Sequence, residues 1–370
     1  MEPTFVIAGR LHRDYLLPPP SAGTGTAQRG RPLIDVPGGN LLYAAAGLGV
    51  WPLSGHGTTS KSEVGLLARV GEDYPQDWLR SFEKHGWDTR GIHILAEALD
   101  LRYFQATLPR SGTGAGTESQ INESPVREPG LSRSNPVAHF ARLGLPFPKS
   151  LLGYHPPDDT EDDRKTSPPA APRPSDIPED YLNTRTVHLC PLDYLSASRL
   201  SSAFRQASVT TLTLDPSAAY MTATALQDVH ILVQGLTAFL PSEEELRALF
   251  WGQTDDLWQM AEAVGEFGCE FTVIKRGAHG QMLYDSISKK RWEIPAYAAR
   301  LADVNGAGDS FCGGFLAGYQ KTYDPLRSML YGSVSASLTI EGSGAFHALE
   351  ALPGLAQARL DSLAEIVRQV

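Results

Sequence analysis

The sequence predicts an α/β protein with a mostly parallel sheet covered by helices, and three observations lead to it. Short apolar runs recur along the chain, helical patterns separate most of them, and 370 residues with 42% hydrophobic content suffice for a sizeable core. The first run, Thr4–Gly9, is short enough for a buried strand, and Val64–Arg69, Thr186–Cys190, Val209–Asp215, Val229–Gln234 and Phe271–Lys275 repeat the type. Between them, Tyr74–His85, Ser196–Gln206, Glu243–Phe250, Asp256–Phe267 and Ala307–Gln320 carry apolar residues at three-to-four spacing, as amphipathic helices do.

Two stretches depart from the alternation. Residues 18–32 are rich in Gly, Pro and Ser between Leu16-Leu17 and Leu33-Ile34, which suits a loop joining two strands that project from the sheet. Residues 110–180 hold 12 of the 27 prolines and an acidic run at Asp158–Asp163, so the sequence reads there as an insertion poor in regular structure. Its middle, Val137–Leu145, can form a short helix.

The composition excludes several classes. A formal net charge of −10 and no long basic run argue against a nucleic-acid partner. Cys190, Cys269 and Cys312 lie far apart, so neither a disulfide framework nor a zinc site is indicated. No stretch suits membrane insertion or export, and a cytoplasmic location is expected.

Asp303-Val304-Asn305-Gly306-Ala307-Gly308-Asp309 opens a helix whose apolar side is Phe311, Phe315 and Tyr319. Small residues leave backbone N–H groups uncovered there, and such a helix N-terminus binds anions. Asp309, in the first turn, could take a proton from an attacking hydroxyl. On the residues alone an equal alternative stands: the two aspartates cap the helix and the glycines only allow close packing.

This segment, with the small-residue helix after it, resembles the signature of the ribokinase-like, or PfkB-type, carbohydrate kinases, and the likeness runs from Gly9 to Gly344 apart from the insertion. The resemblance implies a single ribokinase-like domain over residues 1–370: a three-layer sandwich with a mostly parallel central sheet and a small β lid. Lid strands would fall in 13–36 and 99–113, with a flexible Pro-rich insertion at 114–180. It implies phosphoryl transfer from ATP to a hydroxyl of a sugar-like substrate, with Asp309 as base and the backbone of Gly306, Ala307 and Gly308 as anion hole. Val304-Asn305 stands where Thr-Thr is common in that family.

Other motifs follow in the family's order. Asp14 and Gly38-Gly39-Asn40 resemble its sugar-binding elements, and a carboxylate at Asp14 can accept two hydroxyl hydrogen bonds. Tyr43 replaces the Asn many members use, with Asn40 as a substitute three residues earlier. Arg69–Asp73 and Gly86–Thr89 match family turns, and Leu101–Leu108 reads as a lid strand. Ser242-Glu243-Glu244-Glu245 resembles the family's Asn-x-x-Glu, which makes Glu245 the Mg2+ ligand, although Ser242 and Glu245 equally form a capping box. Lys275, Gly277 and Gly280 resemble a nucleotide-binding turn at the end of a strand, where ligands of parallel sheets bind. Asp303, Asn305 and Gly344 are assigned to the nucleotide by the same resemblance, which also admits a homodimer through the lid.

An NAD-type oxidoreductase is set aside because Gly9 is followed by Arg10-Leu11-His12-Arg13 and no glycine cluster. A nucleoside kinase, or a non-catalytic nucleotide- or sugar-binding protein of the same fold, remains as the alternative. The acceptor is expected to be neutral and polyhydroxylated, unless Arg10 or Arg13 points into the pocket.

Overall fold

A computed structural model describes residues 2–18, 31–52, 63–107, 131–156, 162 and 164–369. In chain order its strands are β1 Phe5–Ala8, β2 His12–Leu17, β3 Leu33–Gly38, β4 Val64–Val70, β5 Trp87–Ile94, β6 Arg102–Thr107 and β7 Leu131–Ser132. Then follow β8 Thr186–Leu189, β9 Thr211–Leu214, β10 Ala238–Phe239, β11 Phe271–Lys275, β12 Gln281–Asp285, β13 Lys290–Ile294 and β14 Arg368–Gln369. The helices are α1 Asn40–Gly49, α2 Gln76–Lys84, α3 Pro136–Arg142, α4 Tyr194–Arg205 and α5 Leu226–Val233, then α6 Glu243–Leu249, α7 Leu257–Glu266, α8 Ala307–Thr322, α9 Pro325–Thr339 and α10 Leu355–Ala364.

The large sheet runs β14-β13-β12-β11-β10-β9-β8-β1-β4-β5, parallel from β11 to β5 and antiparallel beyond. Alternate residues of β1 explain the layering. Phe5 and Ile7 enter a core shared with α1, α8 and α9, while Val6 and Ala8 enter a second core with α4 to α7. A strand buried on both faces must be apolar throughout, which is why it reads as a continuous run. The layers and mostly parallel sheet are those of the ribokinase-like fold.

Val229–Gln234, expected as a strand, is instead the end of α5. A run this short fits either period; Val229, Leu232 and Val233 point inward while Ile231 is 60% exposed, which is helical spacing. Sequence reading missed β10, two residues long, and also β5, β7 and β12 to β14.

A four-stranded sheet, β3-β2-β6-β7, stands apart as the lid, within and beyond the spans anticipated for it. The pleat sorts its side chains: His12, Asp14, Tyr103 and Gln105 face one way, Tyr15, Leu17, Phe104 and Ala106 the other. The second face is apolar and is covered by Phe140, Leu151 and Tyr154 of the same chain.

Here the expected flexible insertion needs correcting. Residues 114–130 lie outside the described residues, but much of 131–180 is packed: Val137–Leu145 yields α3, and Phe140, Leu151 and Ala171 are buried. Arg69 of β4 pairs with Asp176 through two bonds of 2.6 and 2.7 Å, the side chains 7% and 2% exposed. Burial pushes the Asp176 carboxyl up, yet Arg69 and the Arg173 N–H hold it below the usual range. Few apolar residues, each wholly buried, anchor a segment whose average composition looks disordered. Arg69→Ala should therefore lower the unfolding free energy by ~3 kcal/mol, because it leaves a buried carboxylate without its charged partner. Urea denaturation checks this; a loss under ~1 kcal/mol would make the segment peripheral to the fold.

Candidate active site

The carboxyl ends of β1, β8 and β9, the starts of α6 and α8 and the lid enclose a cavity of about 300 Å³. Asp14, Gly39, Asn40, Tyr43, Glu245, Asn305 and Asp309 line it, as do Arg10, His12, Tyr103 and Arg133.

The floor is the start of α8. Gly306 caps it in the left-handed region, φ 72°, and a Cβ there would lie 2.0 Å from the Tyr43 ring. Position 306 therefore requires glycine twice over, by conformation and by contact. The Ala307 N–H turns back to Val304 O at 3.3 Å, so this donor of the expected anion hole serves the turn. The N–H of Gly308 belongs to the first turn of α8, where the N–H groups lack intrahelical partners. Beside it lies Lys275 Nζ, 3.4 Å from where a Gly308 Cβ would sit.

Lys275 is the hub of a charged cluster. Its ammonium is 2.6 Å from Asp215 Oδ2 and 3.8 Å from Cys312 Sγ. Burial alone would discharge it, but Asp215 and Glu245 keep its pKa above the ordinary lysine value. Burial pushes the Asp309 carboxyl up to about 6, with Lys275 opposing and Glu245 adding to the rise. Glu245 is pushed up to about 7 by burial and Asp215, again against Lys275. Its Oε2 accepts the Ser242 N–H at 2.7 Å while Ser242 Oγ accepts the Glu245 N–H, so the capping box is real and sets the carboxylate at the cavity wall.

Across the cavity, Asp14 on β2 is 1% exposed. A Cβ at Gly38 would lie 1.8 Å from its Oδ2, so glycine at this point of β3 makes the room for it. Burial, with Asp303 and Asp309 adding and the Gly39 N–H opposing, raises the Asp14 carboxyl to about 8, and its Oδ1 is buried without a hydrogen-bond partner among the described residues. A buried acceptor of this kind suits a ligand hydroxyl.

Several anticipated residues hold other positions. Asn40 spans two loops, its Oδ1 accepting the Arg10 N–H and its Nδ2 donating to Pro191 O, both at 2.8 Å, so its amide braces the wall. Asn305, assigned to the nucleotide, turns toward the lid: Nδ2 donates to the Tyr43 hydroxyl at 2.9 Å, and Oδ1 accepts from Gln105 at 3.2 Å. Gln105 in turn accepts the Tyr103 hydroxyl at 2.9 Å. The chain Tyr103–Gln105–Asn305–Tyr43 thus ties lid strand β6 to the ring on which Gly306 rests. Asp303 is buried and accepts the Asn305 N–H at 3.0 Å. Gly277 and Gly280 form the β11–β12 turn, where a Gly280 Cβ would meet Ile294 O at 2.0 Å, and Gly344 lies against Leu33 of β3; none of the three lines the cavity.

Asp215, Gln105, His12 and Arg133 escaped sequence reading. Asp215 alone left a usable signal, a carboxylate at the carboxyl end of a parallel strand.

The sandwich with its β lid has the ribokinase-like fold, and an aspartate at a glycine-opened helix start faces the lid's carboxylate across the cavity. Residues 178–352 match the profile of the pfkB family carbohydrate kinases. A cytidine kinase of Thermococcus kodakarensis is 23% identical over 291 residues, 78% of this chain and 82% of that one. Among solved structures, ribokinase from Giardia lamblia superposes with TM-score 0.62 at 15% identity, over 99% of each chain. Aminoimidazole riboside kinase from Salmonella enterica, complexed with aminoimidazole riboside and an ATP analogue, gives 0.60 at 16% identity over 96% of this chain and 99% of that one. Among the described residues no helix is long and apolar enough to cross a membrane.

Proposed function

We propose that the protein transfers the terminal phosphoryl group of ATP to a hydroxyl of a small sugar or nucleoside bound beneath the lid. One observation carries this: Asp309 stands at the start of α8, beside Gly308 and Lys275, and faces the same cavity as Asp14. Asp14 and the lid orient the acceptor. Asp309 takes the hydroxyl proton as the acceptor oxygen bonds to phosphorus and the ADP oxygen leaves. Phosphoryl transfer asks the protein chiefly for positioning and charge neutralisation, which Lys275 and the α8 N-terminus supply. The nucleotide would enter from the Lys275–Gly280 side, its phosphates toward Gly308.

Among the described residues no group of three or more His, Cys, Asp or Glu side chains could hold a metal. Glu245 nevertheless fits Mg2+, a hard ion that is held by one or two carboxylates plus phosphate oxygens and water. When bound, it would neutralise charge on the transferring phosphate.

A nucleoside acceptor is the second reading, supported by the stacked His12 and Tyr103 rings, centroids 5.1 Å apart, on the cavity wall. The test is a screen of sugars, polyols and nucleosides with ATP and Mg2+, measuring ADP and phosphate ester together. Equal formation of both from one compound is expected; ATP binding with no ester from any hydroxylated acceptor would leave only a binding protein.

A further inference from the structure

Resting on that kinase reading, we propose that the acceptor is itself anionic, its phosphate or carboxylate group held by Arg10 and Arg133 while its reactive hydroxyl faces Asp14 and Asp309. The sequence offers Arg10 and Arg13 as the basic residues near Asp14, and the structure separates them. Arg13 points away into a two-bond pair with Asp35, at 2.8 and 2.7 Å. Arg10 lines the cavity, and Arg133 joins it from the segment that composition had marked as an insertion. Arg133 lies over the Tyr103 ring, 5.1 Å from its centroid, and that ring stacks on His12. Two guanidinium groups therefore flank one aromatic wall of a small cavity.

The cavity is electrically divided. Burial, with Arg10 and Arg133 adding, lowers the His12 pKa to about 3, so the imidazole is neutral and the two arginines supply the positive charge at that end. The shifts of Asp14, Asp309 and Glu245 trace instead to burial, to neighbouring acids and to Lys275. Hydroxyls of a polyol suit the carboxylate end. A molecule with a hydroxyl at one end and an anionic group at the other matches both, and guanidinium binds phosphate and carboxylate through paired hydrogen bonds.

The experiment compares ribose with ribose 5-phosphate, and glucose with glucose 6-phosphate and gluconate, in turnover and in calorimetric binding to the full chain. At least one anionic member is expected to bind tenfold or more tightly than its neutral parent, and phosphate against carboxylate shows which group is used. Arg133→Gln, at an exposed position, should raise KM for that compound by ~10–100-fold, the loss of a charged hydrogen bond, with Arg133→Lys recovering part of it. Arg10→Gln should act in the same direction. Neutral acceptors bound and phosphorylated as well as anionic ones, or an unchanged KM in Arg133→Gln, would overturn the inference and leave the kinase reading standing. Tight binding of an anionic probe without ester formation would do the reverse.

Discussion

Asp309→Asn should lower phosphoryl transfer by ~10²–10⁴-fold, the range lost with a general base, while the affinity for an ATP analogue stays close to that of the wild type. The amide keeps the volume of the side chain but cannot accept the hydroxyl proton. Folding is expected to be intact, since the charge removed is one that burial already disfavours. Isothermal titration with the analogue and steady-state turnover separate the two effects. Turnover near the wild-type level would assign the base elsewhere.

Asp14→Asn should have two opposite effects, loss of acceptor binding and a gain in stability. The folded carboxyl is raised from 3.8 to about 8, so its contribution to stability is fully present below pH ~4 and is lost as the pH rises through ~8. At pH 7 the buried acid therefore costs the fold ~4 kcal/mol, at about 1.36 kcal/mol per unit. The amide can still accept the Gly39 N–H and carries no charge, so the variant escapes this loss. Its melting temperature should exceed that of the wild type by several degrees at pH 8, with the gap closing by pH ~4. Equal melting temperatures across that range would mean that Asp14 ionises freely in the folded protein.

What could be read from sequence was local. The helix-opening glycines and Asp309 lie within four residues of one another, and the Ser242–Glu245 capping box spans a single turn. The cluster around Lys275 was not legible in this way: Asp215 is 60 residues away, and only the parallel β9-β10-β11 order brings the two carboxyl ends together. Asn305 was given to the nucleotide because its neighbours in sequence serve the phosphate, yet its partners Tyr43 and Gln105 lie 262 and 200 residues off. Arg133 was hidden by the proline content around it, although Phe140, Leu151 and Tyr154 beside it are the residues that fix that segment to the lid. The α5 segment failed for a different reason: five apolar or near-apolar residues in a row carry too little periodicity to choose between strand and helix.

The pH dependence of single-turnover phosphoryl transfer, measured on the acceptor that forms an ester, tests the role of Asp309 most directly. A base with its pKa near 6 must lose its proton before it can act, so the wild-type rate should fall as the pH drops through ~6. In Asp309→Asn that limb should be absent and the rate low and flat. The same acidic limb in both proteins, or a variant that transfers phosphate at the wild-type rate, would contradict the assignment.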